Sequence, residues 1–126
     1  MSNACRFKQE KITMQEIKAI IRPFKLDAVI SALQKIDGLP GMTISEIKGF
    51  GKTQGHEARD AIVEGLHVLV KKVKIEIVVH NEMVDQIVDT IQEIAHTGNP
   101  GDGKIFIIDV KNTVKIRTNE RGEKGI

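Results

Sequence analysis

The sequence predicts an α+β fold of two β-α-β units, four strands in one antiparallel sheet with both helices on the same face. Two observations carry this. Ile17 to Ile36 (IKAIIRPFKLDAVISALQKI) and Ile75 to Ile94 (IEIVVHNEMVDQIVDTIQEI) align without a gap, each running from a β-branched stretch through polar residues into an amphipathic one. Each unit is then followed by a further β-rich segment, Met42 to Lys48 (MTISEIK) and Lys104 to Val110 (KIFIIDV).

The elements follow in order. The first helix presents Leu26, Val29, Ile30, Leu33 and Ile36, and the second Val84, Ile87, Val88, Ile91 and Ile94, both at the i, i+3, i+4, i+7 spacing of one helix face. Pro23 stands just before the first helix, where its missing N–H does little harm. Between strands 2 and 3, Phe50 to Val70 forms a long loop where hairpins usually need only about two to five residues, and such loops are commonly functional. This plan is the ferredoxin-like double β-α-β sandwich. A short strand is expected at Val114 to Arg117, and a loosely ordered polar tail at Asn119 to Ile126. Ile75, Ile77, Val78 and Val79 with Ile105, Phe106, Ile107 and Ile108 put apolar side chains on both faces of the sheet. Helices cover only one face, so self-association over the other is expected.

Composition narrows the function. Nineteen basic against seventeen acidic residues leave a net charge of +2, too little excess to wrap a nucleic acid, and no Trp or Tyr is present to stack on bases. No apolar run is long enough for a membrane span, and the N-terminus lacks an apolar signal core. The single cysteine, Cys5, makes no internal disulfide, so a cytoplasmic location is expected. His56, His67, His80 and His96 share no metal-ligand spacing, so no metal site is expected; His56 and His67 in one loop are the only minor candidates.

The chemistry concentrates after the second helix, in Thr97-Gly98-Asn99-Pro100-Gly101-Asp102-Gly103-Lys104. Glycines at this density let N–H groups converge into an anion-binding nest, and Lys104 adds a charge. Gly98 to Lys104 even matches the opening of a phosphate-binding loop, but Ile105 replaces the Ser/Thr that would hold Mg²⁺ and a strand rather than a helix follows. A P-loop NTPase is excluded. Gly49-Phe50-Gly51 and Lys52 at one root of the long loop, Lys71 and Lys72 at the other, and Lys115 and Arg117 near the C-terminus complete a set suited to a polyphosphate.

These residues resemble the nitrogen-regulatory PII signal-transduction proteins. The likeness is carried by Ile17-Lys18-Ala19-Ile20-Ile21-Arg22-Pro23-Phe24-Lys25-Leu26, Gly41-Met42-Thr43, Gly49-Phe50-Gly51, Val73 to Val79, and Thr97-Gly98 with Gly101 to Phe106. The resemblance implies a PII-like domain over 14–118, an N-terminal extension of residues 1–13 expected to be disordered, and a C-terminal tail at 119–126. It implies a homotrimer with ATP or ADP in the clefts between subunits, and a loop at 50–70 that docks on a target protein, a transporter or an enzyme. By matched position, Thr43, Gly51, Lys72, Gly101, Asp102, Gly103, Lys104 and Arg117 are expected to contact nucleotide. Lys115 stands where family members commonly carry arginine and keeps the charge without the bidentate fork.

Two departures set this chain apart. Thr53 occupies the position of a family glutamine that helps hold Mg²⁺ and 2-oxoglutarate beside ATP, with Gln54 one place later. Threonine is too short to reach as glutamine does, so Mg²⁺ with 2-oxoglutarate is the weaker ligand expectation. Many members are switched by uridylylation of a loop tyrosine; here Gly65 holds that place and the chain has no tyrosine, which excludes that modification. The reading is therefore a non-catalytic regulator that senses nucleotide and passes its state to a partner. Two rivals are a weak ATPase, against which the missing Ser-His-Asp or Cys-His set argues, and a metal-binding trimer of the CutA type, which lacks the Gly-Asp-Gly-Lys turn.

Overall fold

The computed structural model describes residues 11–50, 61–65 and 67–126. Gly51, Lys52, Thr53, Gln54, His56 and Leu66, and residues 1–10 of the N-terminal extension, lie outside the described residues. The elements are β1 (Met14–Ile21), α1 (Leu26–Gln34), β2 (Thr43–Gly49), β3 (Ala61–Glu64), β4 (His67–His80), α2 (Val84–Ala95) and β5 (Gly103–Val110). The main sheet runs β2-β4-β1-β5, antiparallel throughout, with β3 added to β4. This is the ferredoxin-like plan the repeat implied.

The repeat is visible in the backbone. Arg22 and His80, equivalent in the two units, both hold extended φ/ψ and are followed by 3-10 turns, Pro23–Lys25 and Asn81–Met83, that lead into the helices. Ile17, Ala19 and Ile21 on β1 pair with Ile77, Ile75 and Val73 on β4 and point at the helices. Val29, Leu33 and Ile36 from the first unit and Val84, Ile87, Ile91 and Ala95 from the second close the core over them. Each such aliphatic side chain contributes about 1.5–3 kcal/mol when fully buried, so one face of the sheet and both helix stripes are accounted for.

The open face carries apolar groups, as expected, but also charges. Its central rungs are ionic: Lys18 lies opposite Glu76, Glu16 is 3.9 Å from Lys18, and Lys74 is 3.6 Å from Glu76. Around the charges Ile20, Val78, Phe106 and Ile108 bring apolar groups to that side, with Ile47 opposite Lys72 on the β2 edge; Ile105 and Ile107 pair with Ala19 and Ile17 and belong to the helix side. Phe106 and Ile108 remain 45% and 41% exposed, so an uncovered apolar surface exists, arranged around charges.

The described parts of three segments expected to be irregular are ordered, and one segment expected to be a strand is not. In the long loop, Ala61–Glu64 pairs with the start of β4 (Val63 opposite Val68) around Gly65, so its descending arm is a β-hairpin. Val114 to Arg117 is not a strand: Val114 forms one isolated bridge to Arg121, and the chain between them turns back through Lys115 N–H to Glu120 C=O and Asn119 N–H to Lys115 C=O. The segment pairs with itself rather than with a strand of the sheet. The tail forms a 3-10 turn, Gly122–Gly125, held by Thr113 Oγ1 donating to Gly122 C=O and by His80 Nδ1 at 2.9 Å from Glu123 Oε1. From the extension, Thr13 C=O and Ile12 C=O accept hydrogen bonds from Asn81. Among the described residues no helix is long and apolar enough to cross a membrane.

Candidate functional site

The turn from Thr97 to Gly103 is built from the inside by one carboxylate. Asp102 accepts hydrogen bonds from Thr97 N–H at 2.8 Å, Gly98 N–H at 2.9 Å, the Thr97 hydroxyl, and Arg22 Nε at 3.1 Å. Arg22, only 6% exposed, also donates from Nη2 to Pro100 C=O at 2.6 Å. Lys72 on β4 donates to Gly101 C=O at 2.5 Å. The turn is thus pinned from β1, from β4 and from within. Positive φ at Gly98, Gly101 and Gly103 shapes it, and at Gly103 a Cβ would lie 1.8 Å from Ile20 C=O, so only glycine lets β5 start there.

Burial by itself would raise the Asp102 pKa, but the hydrogen bonds from Thr97, Gly98 and Arg22 outweigh it and hold the carboxyl well below the usual carboxylate range. A depressed folded-state pKa means the stabilisation is complete above the unfolded value, about 3.9, and is lost as pH falls further. Asp102→Asn is therefore expected to destabilise by about 2–4 kcal/mol at pH 7 through the strained and unpaired donors it leaves. Followed by thermal denaturation, the gap to wild type should stay constant down to about pH 5 and narrow below about pH 4.

Of the expected site residues, the structure brings together Lys72, Gly101, Asp102, Gly103 and Lys104. The side chain of Asp102 is committed to the turn, so its role is to shape the nest rather than to present a carboxylate to an anion. Lys104 is exposed and stands on the open face, on the rung of Ile20 and Lys74. Beside the turn, a cleft of about 430 Å³ runs between α2 and β5, with Val88, Ile91, Ala95 and Ile105 as apolar wall and His96 and Lys104 at its lip.

The remaining residues lie elsewhere. Thr43 starts β2 on the opposite edge, three strand spacings or about 14 Å from β5. There it lines a second hollow with Glu16, Glu76 and Ile126. Lys115 and Arg117 follow the far end of β5, about 23 Å along the strand from the turn. Lys115 lies 3.9 Å from Glu120. Gly51 lies outside the described residues. One copy of the chain does not gather the set.

Sequence alone assigns Arg22 no role beyond its place in a motif. Its signal was a cation closing an apolar strand just before proline, but its partner lies eighty residues away. The hairpin exposes Val63 and Val68, and Phe50 meets His67 edge-on with ring centroids 6.3 Å apart. Among the described residues no group of His, Cys, Asp or Glu is arranged to hold a metal ion.

Comparison with known proteins gives a consistent picture. The family described as Nitrogen regulatory protein P-II matches residues 14–120. The nitrogen regulatory protein P-II of Pasteurella multocida is 47% identical over 113 residues, 90% of this chain and 100% of that protein. The nitrogen regulatory protein P-II 1 of Escherichia coli is 49% identical over the same shares. Among solved structures, Arabidopsis thaliana PII bound to citrate superposes with a TM-score of 0.72 at 40% identity, covering 90% of this chain and 92% of that one. The B. subtilis GlnK-ATP complex gives a TM-score of 0.70 at 30% identity, covering 92% and 100%.

Proposed function

Since the chain belongs to the nitrogen regulatory protein P-II family, we propose that this P-II signal-transduction regulator binds ATP or ADP in clefts between three copies of itself. It then controls a target protein through the β3–β4 hairpin and the segment before it. The observation that carries the reading is the division of the site. A pinned glycine turn with Lys72 and Lys104 stands at one end of the sheet, while Thr43, Lys115 and Arg117 occupy another edge and the opposite end. Neighbouring copies bring such separated groups together in a closed ring.

The relative from B. subtilis is an ATP complex by its own description, which supports nucleotide as the ligand here. The Arabidopsis relative is a citrate complex, so the fold accepts a polycarboxylate as well. On this chain 2-oxoglutarate with Mg²⁺ ranks second to nucleotide, given Thr53 in place of glutamine. The match to P-II displaces the reading as a CutA-type metal trimer, and the protein acts by binding rather than by catalysis, in the cytoplasm.

The transmission step follows from Lys72. Its ammonium is held by Gly101 C=O, and the same strand continues into the hairpin at His67. A terminal phosphate competing for Lys72 would alter that contact at the root of the hairpin. ATP and ADP then bias the hairpin only by their difference in affinity for its two arrangements. The test is native mass spectrometry with calorimetry: a trimer taking up one ATP per chain is expected. A monomer, or no heat of binding at millimolar ATP, would overturn the proposal.

A further inference from the structure

We propose that the ionic ladder on the open face of the sheet, Glu16 and Lys18 on β1 with Lys74 and Glu76 on β4, decides which chains this protein assembles with. It admits copies of itself and rejects a sheet whose charges alternate in the opposite sense. The inference rests on the assembly proposed above and takes the open faces to be the surfaces that meet in it.

The four side chains form a compact set. Lys18 is directly opposite Glu76, and along the strands Glu16 is 3.9 Å from Lys18 and Lys74 is 3.6 Å from Glu76. They are already largely shielded within one copy, with side-chain exposures of 24–32%. Around them Val78, Phe106 and Ile108 present apolar surface that a neighbour would cover. Covering it also buries the ladder, and a buried charge without a partner costs several kcal/mol.

Each charge already has a neighbour of opposite sign within the copy, so what a partner meets is the order of the signs, and a face of one sign would repel half of the ladder. A second copy does not. It presents the same signs at the same strand period, about 7 Å between successive residues on one face, and can pair each cation with an anion. A like-signed juxtaposition is rejected, which makes the ladder a filter on partners more than a source of affinity. Sheets of the same fold with a different charge order are the chains it would exclude.

The experiment inverts the ladder. A variant carrying Glu16→Lys, Lys18→Glu, Lys74→Glu and Glu76→Lys keeps zero net charge and the alternation within the chain. It is expected to assemble with itself. Unfolded, mixed in equal amounts with wild type and refolded, it should give mixed species depleted about tenfold from the random distribution on native mass spectrometry. Random mixing would overturn the inference while leaving the assembly intact. A monomeric wild-type chain would overturn the assembly, and the inference with it. If the inverted chain is not recovered folded, Lys18→Glu and Glu76→Lys are each made and checked by circular dichroism. Each alone should fail to assemble at wild-type concentration, and the mixture should assemble; assembly of Lys18→Glu alone would contradict the filter.

Discussion

Lys104→Ala is expected to weaken ATP binding by about ten- to one-hundredfold, the equivalent of one charge-assisted phosphate contact of about 1.5–3 kcal/mol. Lys104 follows the pinned turn directly and is exposed on the sheet's open face, so truncating it removes a cation without touching the core. Arg117→Ala should cost as much, and Arg117→Lys less, because lysine keeps the charge and loses the fork. Affinity for adenosine should be unchanged in all three, since only phosphate contacts are lost. Calorimetry on each folded variant reads these differences. Wild-type affinity for ATP in both alanine variants would remove Lys104 and Arg117 from the site.

Gly103→Ala should damage the fold itself. The added Cβ meets Ile20 C=O at 1.8 Å, and the backbone stands at φ +102, so both strain and clash oppose it. β5 would have to move off β1 at its first rung, Gly103 opposite Ile21. A loss of about 2–4 kcal/mol is expected, a fall in Tm of roughly 10 °C for a domain of this size. Gly98→Ala offers the contrast. Its φ is also positive, at +90, but the nearest atom to a Cβ is the His96 ring at 3.8 Å, so only the strain of about 1 kcal/mol applies. Equal melting temperatures for the two variants would show that the tight approach to Ile20 does not matter.

The contrast between these glycines also marks where the sequence was informative. Helix faces were legible because Val29 and Leu33, or Ile87 and Ile91, recur at a local period. The density of glycine ahead of Lys104 pointed to a turn, and one forms there. What locks that turn was not legible, since Arg22 and Asp102 meet only through the β1–β5 pairing. The C-terminal closure depends likewise on Thr113 reaching Gly122 and His80 reaching Glu123, contacts with no local signature. The hairpin has a local signature: AIVE, then Gly65-Leu66, then HVLV is a strand–turn–strand pattern. The charged ladder is also legible, since Glu16, Lys18, Lys74 and Glu76 alternate with core residues along both strands.

Whether nucleotide is held between copies can be tested by complementation. Lys104→Ala and Arg117→Ala chains, each unable to bind ATP tightly alone, are unfolded together in equal amounts and refolded. A site that takes its turn from one copy and Arg117 from the next is intact when a Lys104→Ala chain lends its Arg117 to an Arg117→Ala chain's turn. Random assembly should restore roughly one tight site in four. Tight sites at that level in the mixture, and in neither parent, are the expected result. A mixture that binds no better than its parents would place both residues within a single copy and contradict a site shared between subunits.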